Sequence, residues 1–169
     1  GTTIKGNSIL GSYFGPRNFP YSIFNHDEAA FKEYFELNSQ FGNHTAVIYE
    51  WKGAGEGEEY LREALQRSRE KGFKFFLHFD PLTGMTREAP APPPSLREKS
   101  FGDPDVREAF KNRVLELAAL KPDILGIGIE VNLLILNNNQ KEFDYYASLA
   151  EETYKLAKER YPSQTITIS

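Results

Sequence analysis

Strand-like and helix-like stretches alternate along this chain with no hairpin signal between them, and that rhythm limits the fold more than any other feature. Ser8 to Phe14 reads as a strand ending at the turn Gly15-Pro16. Asp27 can cap a helix with Ala30, Phe31, Tyr34, Phe35 and Leu37 at helical spacing, and Gly42 stops it. Thr45 to Trp51 is a second strand. The stretch from Glu58 to Lys71 is a second helix, with Leu61, Ala64, Leu65 and Ser68 turned inward, and Gly72 ends it. Phe73 to Asp80 follows as a third strand. Asp103-Pro104 opens a helix whose stripe is Val106, Phe110, Val114 and Leu117. Asp123 to Leu136 is the fourth strand. Asn139 to Glu142 has the form of a capping box, ahead of a long helix with Phe143, Ala147, Ala150, Tyr154 and Ala157 on one face. Thr165 to Ile168 closes the series as a fifth strand.

Such alternation predicts right-handed crossovers and a parallel sheet, hence an α/β protein. A doubly wound nucleotide-binding sheet would carry a glycine-rich phosphate loop after its first strand. Gly11 to Arg17 has neither Walker spacing nor the dinucleotide fingerprint. The other architecture, a (β/α)8 barrel, typically takes about 250 residues. At 169 residues, with five expected strands, this chain is expected to be a partial barrel forming a single domain over 1–169. Pro81 to Gly102, with Pro90, Pro92, Pro93 and Pro94, breaks the rhythm and is expected to be an active-site loop.

The fourth strand carries the sharpest chemical signal. In DILGIGIEVNLLIL, strand alternation puts Gly126, Gly128, Glu130 and Asn132 on one face, and Leu125, Ile127, Ile129 and Val131 on the other. One face is apolar and the other bare until it meets a single carboxylate, placed where a barrel strand emerges at its C-terminal end. Against this stands the simpler expectation of a solvated Glu just past a buried strand.

Composition narrows the partners. The net charge of −4 is spread thinly, without a basic cluster, which argues against nucleic acid and anionic membrane. The chain has no cysteine, so disulfides and thiolate metal sites are excluded, and no cofactor or metal is called for. The start at Gly1 lacks an initiator Met and reads as a processed end, without signal peptide or membrane span, so the compartment is left open. An aromatic content of 14% suits stacking on sugar rings, although most such rings belong in a core.

The expected strand ends gather Tyr13 and Arg17, Glu50 and Trp51, His78 and Asp80, and Glu130 and Asn132. In a barrel these lie on one rim. Acids, an imidazole, an amide and a tryptophan, without a thiol or a serine-centred motif, are the groups of a carbohydrate site. The segment GIGIEVN, Gly126 to Asn132, resembles the fourth-strand motif of clan A glycoside hydrolases, in particular their endo-galactanase and mannanase branches. Phe76 to Asp80 looks like the third-strand end of that clan, where a histidine lines the sugar site. KLAKERYP followed by TITIS is similar to its fourth helix and fifth strand.

The resemblance implies a TIM-barrel glycosidase in which Glu130 is the general acid/base, with Trp51, Glu50, His78, Asp80, Asn132, Tyr13 and Arg17 around the sugar. A second carboxylate roughly 5 Å away would form the glycosyl-enzyme intermediate. Two departures stand out. Ile129 replaces the Asn that precedes the acid, and the clan's seventh strand, which bears the nucleophile, has no counterpart; Asp80 or Glu50 would have to substitute. A chitinase-type pattern, D-x-x-D-x-D-x-E, fits Asp123 and Glu130 but has Gly126 and Gly128 at its middle positions. From a different class comes a non-catalytic carbohydrate-binding or self-assembling half-barrel module. Under either expectation, the edge left by five strands favours a second copy, or a C-terminal half completing the barrel.

Overall fold

In a parallel sheet with helices on one side, alternate residues face the helices, and in the computed structural model, which describes residues 28–40, 42–53 and 58–168, Phe75, Leu77 and Phe79 are buried in that way, with Thr45, Ala46 and Asp80 buried as well. The chain runs α1 (Glu28–Ser39), β1 (His44–Glu50), α2 (Glu58–Glu70), β2 (Lys74–Asp80), α3 (Pro104–Ala119), β3 (Ile124–Gly126), α4 (Leu133–Leu136), α5 (Gln140–Arg160) and β4 (Thr165–Thr167). Single 3₁₀ turns lie at Trp51–Gly53 and Pro94–Leu96. The strands form a four-stranded parallel sheet in the order β1-β2-β3-β4. They correspond to the expected second to fifth strands; the expected first strand, 8–14, lies outside the described residues.

Val47, Tyr49, Phe75, Leu77, Phe79 and Leu125 share one hydrophobic cluster with Leu61, Ala64 and Leu65 of α2, Val106, Phe110 and Val114 of α3, and Tyr146, Leu149 and Ala150 of α5. All three crossover helices therefore pack on the same face of the sheet. The opposite face carries Ile48, Phe76, His78 and Ile124, of which Ile48 is 45% exposed. Burial of the helix-facing side chains contributes roughly 1.5–3 kcal/mol for each large apolar group and is the main stabilising term.

The expected helix α3 is confirmed in detail. Asp103 accepts hydrogen bonds from the N–H groups of Asp105 and Val106, Pro104 occupies the first turn, and Val106, Phe110, Val114 and Leu117 are buried. Three expectations are corrected. The stripe on α5 is Tyr146, Leu149, Ala150, Thr153 and Ala157, so Ala147 and Tyr154 face solvent. Thr153 is tolerated in the core because its hydroxyl donates to the Leu149 carbonyl one turn back (2.7 Å). The capping box does not form: Asn139 makes no side-chain cap and donates instead to the Glu88 carbonyl, while Glu142 accepts from Ser100 Oγ and from the Phe101 N–H.

The third correction concerns the run from Asp123 to Leu136, which is not one strand. Pairing ends soon after Gly126, with Ile127 N–H still donating to Thr167 (2.9 Å). Beyond it, backbone carbonyls are taken by side chains rather than by a neighbouring strand. Tyr146 donates to the Ile127 carbonyl (2.5 Å) and Arg87 to that of Ile129. The carbonyls of Glu130, Val131 and Asn132 then accept from Leu133, Leu134 and Ile135, which starts the short helix α4. Helical geometry sends Leu134 into the core and leaves Leu136 exposed.

Candidate functional site

The C-terminal ends of β1 and β2 are in register, with Glu50 beside Asp80 and Ile48 beside His78. In the next row His78 lies opposite Gly126, and Gly126 opposite Thr167. A side chain at Gly126 would meet His78 Nδ1 and Thr167 Oγ1 at 3.5 Å each, so glycine leaves a slot between an imidazole and a hydroxyl. The His78 ring stacks on that of Phe76, 4.0 Å between centroids and 6° from parallel. Burial holds the His78 pKa below its ordinary value, with the charge of Asp80 opposing the shift. At neutral pH this ring is an uncharged donor and acceptor.

Above this row sits a group of ionic contacts with Arg87 at its centre. Arg87 comes from the proline-rich connection and makes a two-pronged bridge to Asp80, Nη1 to Oδ2 at 2.7 Å and Nη2 to Oδ1 at 2.8 Å. Both side chains are more than nine-tenths buried. Asp80 also accepts from the Leu82 N–H, and Arg87 also donates to the carbonyls of Gly84 and Ile129. The remaining donor, Nε, has no hydrogen-bond partner and lies 3.7 Å from Glu130 Oε2. Glu130 itself has left-handed backbone (φ 51°) and a side chain 63% exposed. The carboxylate therefore stands in solvent at the rim, beside a recessed guanidinium.

The proline-rich connection, expected as an active-site loop, forms a wall bonded to itself along its length. Leu82 bridges Pro90, Thr83 N–H donates to Ala89, and Ala91 N–H donates to Pro81. Thr83 Oγ1 accepts from the N–H groups of Glu88 and Ala89. Asn137 and Asn139, just past α4, donate to the carbonyls of Thr86, Arg87 and Glu88. Side-chain amides thus tie this wall to the segment bearing Glu130.

The expected site residues meet different fates. Asp80 and Glu130 meet at Arg87, which engages the Asp80 carboxylate, and His78 lies near enough to Asp80 to feel its charge. Glu50 is half-exposed beside Lys52, 3.5 Å from its ammonium. Asn132 is exposed at the start of α4, where its carbonyl accepts from Ile135. Trp51 is no sugar platform: it is 1% exposed and packs edge-on against Phe79 and Phe110. The chain turns into a 3₁₀ turn there and carries the indole to the helix side of the sheet. Tyr13 and Arg17 lie outside the described residues.

Two neighbours of this rim escaped the sequence reading. Arg87 stands in an irregular stretch with no periodicity to mark it. Tyr146 lies under Gly128 and belongs to the true α5 stripe; burial, with Asp80 adding to it, raises its pKa well above the ordinary 10, so the hydroxyl stays a donor. Among the described residues no cluster of three His, Asp or Glu could hold a metal ion, and no helix is long and apolar enough to cross a membrane. These features define an α/β protein with a polar rim at the C-terminal ends of its parallel strands. No family model, curated protein or solved structure matches the chain.

Proposed function

We propose that the chain is part of a (β/α)8 barrel of the clan A glycoside hydrolase type, five βα units long, and that it cleaves the O-glycosidic bonds of a polysaccharide or oligosaccharide with Glu130 as general acid/base. The observation that carries this is the exposed Glu130 carboxylate, standing beside Arg87 just beyond the C-terminal end of β3. Further support comes from the sequential order of the parallel strands and the placement of all crossover helices on one face, since a barrel sheet is built by repeating that step.

In this role Glu130 donates its proton to the leaving glycosidic oxygen and afterwards takes one from the attacking water. The neutral His78 ring and the Thr167 hydroxyl, either side of the Gly126 slot, would hydrogen-bond the sugar. Asp80 is unsuited to act as nucleophile, because both of its oxygens are bonded to Arg87. Glu50 is the other rim carboxylate on the described strands. The partner on this reading is a carbohydrate, and a second copy or a C-terminal half would complete the barrel.

That engagement of Asp80 also favours a second reading, a non-catalytic carbohydrate-binding or self-assembling module. Reducing-end release from a panel of polysaccharides separates the two. If Glu130 is the acid/base, Glu130→Gln lowers turnover by about 10²- to 10⁴-fold while sugar binding is retained. Sugar binding by the unmodified chain with no bond cleavage would leave the binding module in its place.

A further inference from the structure

We propose that Arg87 is the positioning residue of this rim: it holds the segment that bears Glu130 and aims that carboxylate through its one unused donor. A buried arginine that served only to neutralise Asp80 would need no more than the two-pronged bridge it makes there. Arg87 does more. The Nη2 that binds Asp80 also donates to the Ile129 carbonyl, the peptide group immediately before Glu130. Its Nε is buried, lacks a hydrogen-bond partner, and lies 3.7 Å from Glu130 Oε2. A movement of under about 1 Å by Glu130 would turn that approach into a charge-assisted hydrogen bond.

Both residues also hold left-handed backbone, φ 53° at Arg87 and φ 51° at Glu130, which costs of order 1 kcal/mol or more for a non-glycine residue and persists only where surrounding contacts impose it. Around Arg87 its own N–H donates to the Thr83 carbonyl within the connection, while two contacts cross to the segment that bears Glu130: the Arg87 side chain to the Ile129 carbonyl, and Asn137 back to the Arg87 carbonyl. Asp80, at the end of a central strand, anchors the guanidinium to the sheet, so the position of Glu130 is referred to a strand paired on both sides.

The kinetic half of the test rests on the reading of Glu130 as acid/base; the other half does not. Two variants are compared with the unmodified chain: Arg87→Lys, which keeps a charge against Asp80 but not the fork, and the double variant Asp80→Leu/Arg87→Met, since a buried ion pair replaced by apolar groups is commonly tolerated. Backbone hydrogen exchange is followed over 127–136 and, as a reference, over α3. Positioning by Arg87 gives exchange about ten-fold faster or more over 127–136 in both variants, with α3 unchanged. On glycoside substrates, kcat falls about 10- to 100-fold at constant KM. Unchanged exchange over 127–136 in the double variant would overturn the proposal, as would equal loss of protection in α3 in both variants, or faster local exchange with kcat intact. Absence of any hydrolysis by the unmodified chain would sink the acid/base reading alone, leaving the exchange result to decide the role of Arg87.

Discussion

At Gly128 the fit between backbone and side chain is tight enough to be tested by one methyl group. A Cβ there would run into the Tyr146 hydroxyl and lie 2.9 Å from its Cζ. Tyr146 cannot retreat without giving up its bond to the Ile127 carbonyl. Gly128→Ala is expected to destabilise the fold by about 1–3 kcal/mol through overpacking. Tyr146→Phe, which orphans that carbonyl, costs about 1–3 kcal/mol as well. Because the two residues touch, the double variant should lose less than the sum, and urea unfolding of the four proteins measures the coupling. Strict additivity would mean that the hydroxyl and the glycine do not compete for the same space. The sequence marked Gly128 as bare but assigned it to a strand face, because nothing in the pattern discloses a tyrosine nearly twenty positions later taking over a backbone carbonyl.

Helix α3 was readable because its signals are local: Asp103 caps it, Pro104 starts it, and its stripe is made of unambiguous apolar residues. Asp103→Ala should cost about 1 kcal/mol, seen as a lower urea midpoint with an unchanged slope, and Asp103→Ser should recover most of it. A loss no larger than that of an ordinary surface substitution would mean the cap contributes nothing. Helix α5 was read one step off because Thr153 looks polar from its formula, yet satisfies its own hydroxyl inside the helix and so enters the core. Its start at Asn139-Gln140 was read correctly but its cap was not, for a tertiary reason: Glu142 has better partners in Ser100 and Phe101 than in its own first turn. The end of β3 was lost in the same way, since an apolar run long enough for a strand is equally a strand, a turn and a short helix when side chains claim its carbonyls.

At the scale of the whole molecule, two imidazoles among the described residues make stability depend on pH. Burial is the largest cause of a lowered pKa at both His44 and His78; Asp123 opposes it and Lys74 adds to it at His44, and Asp80 opposes it at His78. Both rings are harder to protonate folded than unfolded, so below the ordinary value of 6.5 the unfolded chain binds more protons. Stability is therefore highest above that value and declines as the pH falls through it, levelling off once the folded rings titrate too. Replacing both by Gln should flatten the dependence of the thermal midpoint between about pH 7.5 and 5. A slope of undiminished size would assign the effect to other groups. The parallel direction of the strands was legible from alternation alone, since each connection is a helix long enough to reverse the chain; their sequential order followed only once the doubly wound alternative was set aside for want of a phosphate loop. The rim was legible only in part, because its central arginine arrives from irregular chain.

The connection rich in proline, bonded to itself and to the amides beyond α4, has one more consequence. Prolines at 90, 92, 93 and 94 reduce the freedom this stretch would have before folding, and its hydrogen bonds consume what is left. On the proposed reading, a sugar arriving at the rim would meet a wall already in place, with no ordering step to be financed from its own binding energy.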